Sequence, residues 1–305
     1  MRFLIAGSSG LIGSALADRL AGEGHEVVRL VRPETKAEGI AWDPPHPLEP
    51  RLVEGFDGVA NFGGRSIGER RWSDREKHLL WESRVGPTRV LAQALAAAAQ
   101  RPSVLVNGSA TGFFGDGGDR ILTDDAPKGE GFLTDLTAAW EAATAPASAA
   151  GIRVVTPRSG IVLSPDGGAL GRLLAPFGPR WLSPYRWGLG GPVGGGKMYW
   201  SWISLRDEVA GIRHLLVDSQ LVGPVNLVSP HPVTNREFIK TLGRVIRRPT
   251  VMPIPGFVLK IVLGSELADA LVLEGQRAVP ARLQADGFVF SDTDLEQAMR
   301  EALTP

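Results

Sequence analysis

The sequence predicts an α/β fold, a doubly wound parallel sheet with a smaller C-terminal substrate lobe. Three observations predict it. A strand pattern at the first residues runs straight into a glycine turn and an amphipathic helix. Short apolar runs then alternate with helical patterns through residue 228. Beyond residue 160 the chain turns rich in Gly, Pro and aromatic residues, which sets a second lobe apart.

The first element is the apolar run Arg2–Ala6, a buried strand. Gly7-Ser8-Ser9-Gly10-Leu11-Ile12-Gly13 follows at once. Ile12, Ala15, Leu16 and Leu20 then recur at helical spacing until Gly22 and Gly24 stop the helix. Residues 25–31 form the next strand, closing a βαβ unit of about thirty residues. Each glycine has a task. Gly7 allows the tight turn, Gly10 lets the backbone approach a pyrophosphate, and Gly13 lets helix and strand pack closely. The helix N-terminus offers free N–H groups and a positive dipole end to phosphates. This is a Rossmann-type dinucleotide cradle, with the spacing G-x-x-G-x-x-G.

The tip of the second strand chooses the cofactor. An acid there would accept from the ribose hydroxyls of NAD. The strand instead ends Leu30-Val31-Arg32, with Glu34 two residues beyond. A guanidinium matches a 2′-phosphate bidentately. NADP(H) is therefore favoured over NAD(H), the alternative being that Arg32 is a surface charge.

The remaining elements follow in order. Residues 57–61 read as a strand leading into Asn61-Phe62-Gly63-Gly64. Ser73-Asp74-Arg75-Glu76 reads as a capping box opening a long helix, which Gly86-Pro87 should kink or interrupt. Val104–Asn107 is the next strand and leads to Ser109. Residues 153–157 and 225–228 are further strands, the latter rejoining the nucleotide sheet. Thr234-Asn235-Arg236-Glu237 is a second capping box, opening a helix through Val245. Residues 259–273 have helical spacing, and Leu295–Leu303 is a final helix. The dinucleotide-binding domain is expected over residues 1–160, completed by about 201–233, with the smaller lobe over 161–200 and 234–305.

Composition excludes several functions. The 305 residues are 43% apolar, and Lys+Arg balance Asp+Glu at 33 each. A neutral chain has no field that draws it to nucleic acid or an anionic membrane. Without cysteine there is no disulfide, thiolate metal site or cysteine nucleophile. The five histidines are scattered, with no i, i+4 pair, so no metal site is expected. No signal peptide or membrane-length apolar run is found, and a cytoplasmic location is expected.

At this point the sequence resembles a known family. It is similar to the extended short-chain dehydrogenases/reductases, within the NAD-dependent epimerase/dehydratase group. More narrowly, it resembles an atypical, nucleoside-sugar-epimerase-like branch of unassigned substrate. The N-terminal carriers are the glycine loop, Asn61-Phe62-Gly63-Gly64, Arg71-Trp72, Ser83-Arg84 and Ser109-Ala110-Thr111-Gly112-Phe113-Phe114-Gly115. Later come Arg158-Ser159-Gly160-Ile161-Val162-Leu163, Gly188-Leu189-Gly190-Gly191-Pro192, Trp202-Ile203, Pro224-Val225-Asn226-Leu227, Pro232-Val233-Thr234-Asn235 and Glu274-Gly275-Gln276-Arg277. The resemblance implies that Gly7, Ser8, Ser9, Gly10, Leu11 and Ile12 hold the pyrophosphate. It implies that Val31 and Arg32 meet the adenosine 2′-phosphate side and that Asn61, Phe62, Gly63 and Gly64 line adenosine and ribose. Arg84 should sit near the cofactor, and Arg158, Ile161 and Val162 should pass the nicotinamide. Ser109 falls, within one residue, where the family keeps its catalytic Ser or Thr.

The wider family moves protons with Tyr-x-x-x-Lys. This chain has two tyrosines, Tyr185 and Tyr199, followed four residues on by Leu189 and Ile203. At the expected place, before Trp140-Glu141, it reads Phe132-Leu133-Thr134-Asp135-Leu136-Thr137. Ser109, Thr111, Asp135 and Glu141 are the remaining proton-handling candidates near the site. Ser109 is preferred as catalytic, its alternative being a hydroxyl that only bonds backbone or ribose. Asp135 and Glu141 read as solvated helix charges.

Residues 167–196 are Gly- and Pro-rich, and Trp181, Tyr185, Trp187, Tyr199, Trp200 and Trp202 crowd into 181–202. Residues 179–187 look like an insertion. Rigid aromatics between glycine hinges suit a substrate pocket, here Phe113, Phe114, Trp181, Tyr185, Trp187, Tyr199 and Trp202. Core packing or a homodimer contact is the other role. Two functions stay open: an NADP(H)-binding epimerase or oxidoreductase acting on an unidentified small molecule, or a dinucleotide-binding sensor without turnover.

Overall fold

The computed structural model describes residues 1–35, 37–174 and 183–304. The chain opens with β1 (Arg2–Ala6), whose Phe3, Leu4 and Ile5 are buried on both faces. A fully covered parallel strand needs such a continuous apolar run rather than alternation. Helix α1 (Leu11–Gly22) buries Gly13, Leu16, Ala17 and Leu20. Each large aliphatic side chain so removed from water contributes about 1.5–3 kcal/mol. Next come β2 (Glu26–Val31), β3 (Ile40–Ala41) and β4 (Gly58–Asn61).

The helix expected from residue 73 is two helices, α2 (Asp74–Glu82) and α3 (Val85–Ala97). The break falls at Ser83-Arg84 rather than at Gly86-Pro87. A proline ring excludes the carbonyl four residues earlier from helical geometry. Pro87 therefore acts on Ser83 and itself sits in the first turn of α3. The box at Ser73 is half formed. Ser73 Oγ accepts from Glu76 N, but the Glu76 carboxylate binds Arg65 at 2.6 Å.

Strand β5 (Val104–Asn107) leads to β6 (Ser109–Ala110), a turn of 3-10 helix at Thr111–Phe114, and β7 (Ile121–Leu122). Helices α4 (Phe132–Ala142) and α5 (Ala145–Ala149) precede β8 (Arg153–Ser159) and β9 (Ile161–Leu163). After α6 (Gly168–Leu174) come β10 (Tyr199–Trp200), β11 (Trp202–Ser204), α7 (Leu205–Val217) and β12 (Gly223–Leu227). Strand β13 (Val233–Thr234) opens α8 (Asn235–Ile246), where Thr234 and Glu237 form a complete capping box. The helical pattern at 259–273 is broken by Gly264 (φ 90°) into α9 (Gly256–Leu263), α10 (Ser265–Ala268) and a π-turn at Asp269–Leu273. Strand β14 (Arg277–Ala278), α11 (Ala281–Ala285) and α12 (Leu295–Leu303) finish the chain.

The main sheet is parallel, in the order β12-β8-β5-β4-β1-β2-β3, with β6 beside β8. Helices cover both faces. Helices α1 and α7 enclose one core with Ile5, Leu16, Leu20, Ile212 and Leu215. Helices α3 and α5 enclose another with Leu4, Leu91, Leu95, Leu105 and Ala147. The strand order reverses between β1 and β4. Ala6 is level with Asn61, and Asn61 with Asn107. The C-terminal ends of three strands thus form one rim at the switch point, where open α/β sheets bind ligands. A separate core unites Leu163, Trp200, Trp202, Phe238, Ile239, Leu242 and Met299. Among the described residues no helix is long and apolar enough to cross a membrane.

Candidate functional site

Gly7 leaves β1 with φ 78°, a conformation L side chains rarely adopt. A Cβ on Gly7 would lie 2.5 Å from the Phe62 carbonyl carbon, and one on Gly13 would lie 2.2 Å from Gly7 O. These glycines let β1, α1 and the loop after β4 touch. Gly10 is exposed, its amide donating to Gly7 O at 3.0 Å. It caps α1 with no side chain, and the first turn holds no acid. Ser8 is buried and Ser9 exposed, while Leu11 and Ile12 are half-buried. The positive end of α1 and its first amides therefore face the crevice without an internal anion. These residues fit a dinucleotide pyrophosphate.

Val31 ends β2, and Arg32 follows with its side chain 66% exposed and Glu34 at 3.9 Å. On β4 the Asn61 side chain turns inward. Its amide nitrogen donates to Thr88 Oγ1 at 2.9 Å and Asn107 Oδ1 at 2.6 Å, and its oxygen accepts from Gly63 N. Asn61 thus fixes the rim, and the parts left toward the crevice are Phe62, Gly63 and Gly64. Arg84 lies under Gly64 and donates to Arg65 O at 2.7 Å. Burial lowers its pKa to about 10, so it stays cationic at neutral pH. No described carboxylate pairs with it, and its guanidinium stands 5.3 Å from the Trp140 ring.

Ser109 is buried, and its hydroxyl donates to Glu141 Oε1 at 2.6 Å. Glu141 also receives two hydrogen bonds from Arg158, at 2.8 and 2.9 Å. The side chains are only 3% (Arg158) and 15% (Glu141) exposed. Glu141 is therefore a largely enclosed ion partner, not the solvated charge its helix suggested. Its partner arrives from β8, seventeen positions along, where no helical pattern could reveal it. Asp135 stays half in solvent beside Lys128. Arg158 lies 3.5 Å from the Phe113 ring centre and donates to Asp124 O, so it is engaged inside the protein. Ile161 is half-buried and Val162 packs into the first core. Thr111 is buried.

Ser109→Ala should lower stability by about 1–2 kcal/mol, the worth of a hydrogen bond to a charge that keeps other partners. A thermal melt checks this, and an unchanged melting temperature would mean that the hydroxyl does little to hold Glu141.

The described aromatic residues do not gather around one pocket. Trp202 is wholly buried, with its indole N–H donating to His231 O at 2.9 Å. Tyr185 is buried with its hydroxyl donating to Gly191 O at 3.1 Å, and burial pushes its pKa up to about 12. Trp187 is 67% exposed, and Tyr199 lies half-buried under Arg277. Phe114 is buried and belongs with Phe113 beside Arg158. Trp181 and much of the expected insertion at 179–187 fall outside the described residues. Aromatic density between glycines marks a lobe core here, because burying a large ring satisfies the same composition.

A cleft lies elsewhere. It has a volume of 210 Å³ between Trp72, Gly112, Phe132 and Leu133 on one side and Glu266, Asp269, Glu274 and Gln276 on the other. Its nucleotide-side wall includes the α4 residues that stand where the family tyrosine was expected. None of its C-terminal residues was singled out as a site residue from sequence. Of these, Glu274 and Gln276 belong to the motif Glu274-Gly275-Gln276-Arg277.

The family model for the NAD dependent epimerase/dehydratase family matches residues 3–227. The chain belongs to the NAD-dependent epimerase/dehydratase family. A second model, a domain of unknown function, matches residues 254–302 and so covers the far wall of the cleft. An epimerase family protein of Mycobacterium bovis is 42% identical over 302 residues, spanning 98% of this chain and 97% of that one. The human epimerase family protein SDR39U1 is 34% identical over 304 residues, spanning 99% of each. The crystal structure of human SDR39U1 (isoform 2) with NADPH superposes with TM-score 0.89 at 32% identity, over 99% of both chains. The UDP-glucose 4-epimerase of Thermus thermophilus in complex with NAD has TM-score 0.75 at 19% identity, over 99% of this chain and 98% of that one. It shares the fold. In this member of the epimerase family the cleft is walled by the α4 segment on one side and by C-terminal residues 266–276 on the other.

Proposed function

We propose that this chain is an NADP(H)-dependent epimerase or oxidoreductase acting on a small molecule, working without Tyr-x-x-x-Lys. The observation that carries it is the uncapped α1 N-terminus at the switch point, with Arg32 rather than an acid at the tip of β2. Human SDR39U1 with NADPH supports the same cofactor. In this reading Gly7, Ser8, Ser9, Gly10, Leu11 and Ile12 hold the pyrophosphate through backbone amides. Arg32 meets the 2′-phosphate, and Phe62, Gly63 and Gly64 line the adenosine side. Bound NADP(H) supplies or accepts a hydride. A cleft of 210 Å³ suits a small substrate, below the roughly 300–1,000 Å³ of drug-sized sites. The cysteine-free chain fits a reducing compartment, and a cytoplasmic location is part of the reading.

NADPH and NADH titrations on wild type and Arg32→Ala test it. NADPH should bind more tightly than NADH. Arg32→Ala should weaken NADPH roughly ten- to a hundredfold, the worth of a charge-assisted contact, and leave NADH unchanged. Equal affinities for the two cofactors would refute the assignment. A sensor without turnover is the second reading, favoured by the engagement of Ser109 with Glu141 and of Tyr185 with Gly191 O. Tight NADPH binding with no hydride exchange into any carbonyl compound or sugar would favour it.

A further inference from the structure

The motif Glu274-Gly275-Gln276-Arg277 ties the second lobe to the loop after Phe114. Gln276 Nε2 donates to Gly115 O at 2.9 Å. Gly275 O accepts from Gly117 N at 2.8 Å, and Gly275 N donates to Asp116 Oδ1. Arg277 donates to Asp119 O and lies over Tyr199. Gly275 is pressed so close to the Tyr199 backbone that a Cβ would come within 2.7 Å of its nitrogen. Three of the four residues are thus occupied in holding the segment.

The fourth is not. The Glu274 carboxyl makes no hydrogen bond or ion pair among the described residues, yet it is half-buried and lines the cleft. Its main-chain N–H is fixed by Asp269 O at 2.8 Å. Across the cleft stand Gly112, Phe132 and Leu133. Of these, Phe132 stands where the family resemblance expects the tyrosine, and a phenyl ring carries no transferable proton.

We propose that Glu274 is the acid–base group of this cleft, supplying from the C-terminal lobe the proton that the absent tyrosine would handle. This rests on the NADP(H) reading above. In the reductive direction the Glu274 O–H bond breaks and its electron pair stays on the carboxylate. The substrate carbonyl oxygen gains that proton while the carbonyl carbon gains a hydride from NADPH, which is oxidised to NADP⁺. In the oxidative direction the carboxylate takes the proton back. The surroundings suit the task. Burial, with the negative charges of Asp116 and Asp269, raises the Glu274 pKa, and Lys260 opposes them. Lys260 is held by Asp269 at 2.8 Å, and Glu266 by Lys77 at 3.0 Å, while exposed Glu130 adds a further negative charge at the cleft. A raised carboxyl pKa keeps a transferable proton closer to neutral pH.

The test is a carbon-13 titration of full-length protein carrying ¹³C-labelled glutamate, read with NADPH bound and again with NADP⁺ bound. Glu274→Gln identifies the resonance by its loss, and its unchanged melt and NADPH affinity show an intact fold. The Glu274 midpoint should lie above the ordinary carboxylate range with NADPH. It should fall by about one pH unit with NADP⁺, because the proposal puts the cationic oxidised ring beside the carboxyl. Midpoints equal in the two complexes, or an ordinary midpoint, overturn the proposal while leaving the cofactor reading standing. Failure of either cofactor to bind overturns both.

Discussion

Glu141→Gln should destabilise the fold by about 3–5 kcal/mol, because it strips a buried cation of its counterion. Arg158 is 3% exposed, with the Phe113 and Phe114 rings beside it and Glu141 as its carboxylate partner. Glutamine keeps one acceptor but turns an amide donor toward the guanidinium. The remaining charge then carries its desolvation cost with little compensation. The paired change Glu141→Leu with Arg158→Met should recover most of the loss, since it removes both charges from the interior. Urea denaturation of the two single variants and the double variant gives the coupling directly. A single-variant loss below about 1 kcal/mol would mean that the pair behaves as a surface ion pair.

The second large effect is a pH dependence. Glu208 is wholly buried on α7, with Ser159 Oγ donating to its Oε1 at 2.5 Å and no described partner for Oε2. Burial pushes its pKa up to about 8, while the Ser159 hydrogen bond acts the other way. In the unfolded chain the carboxyl ionises near 4.5. Between these values the folded state holds a proton that the unfolded state has released. Glu208 therefore makes unfolding progressively easier as pH rises from about 4.5 to about 8, with no further change above. The whole change is on the order of 5 kcal/mol. Glu208→Gln should match wild type near pH 5 and exceed it by several kcal/mol near pH 8.5. Denaturation curves at the two pH values decide the matter. A constant difference between variant and wild type across that range would exclude Glu208 as the source.

Backbone geometry was the most legible part of the sequence. Gly7 and Gly13 stand where any side chain would strike the neighbouring chain, so their spacing reports a three-dimensional contact directly. The box at Thr234 was legible for the same reason: both partners lie within four residues. The box at Ser73 was only half legible, because Arg65, outside the local window, takes the Glu76 carboxylate. Long-range partners were hidden throughout. Glu141 looks like any charge on a helix until Arg158 arrives from β8, and Trp202 looks like a pocket wall until Phe238 and Leu242 enclose it. Glu274 was visible only as part of a motif, since its meaning depends on a wall made by residues 112–133.

The ties between the loop after Phe114 and the C-terminal lobe also set an order of assembly. Strand β7, at 121–122, pairs with β14, at 277–278, and buried Asp207 accepts from the amides of Ser291 and Asp292. At a synthesis rate of about 5–20 residues per second, β7 leaves the ribosome roughly 8–30 s before its partner exists. The glycine loop, β1 and β4 lie within the first hundred or so residues, although α7 must still arrive to cover their face of the sheet. The glycine loop is therefore synthesised well before residues 266–276, which face Gly112 and Phe132 across the cleft.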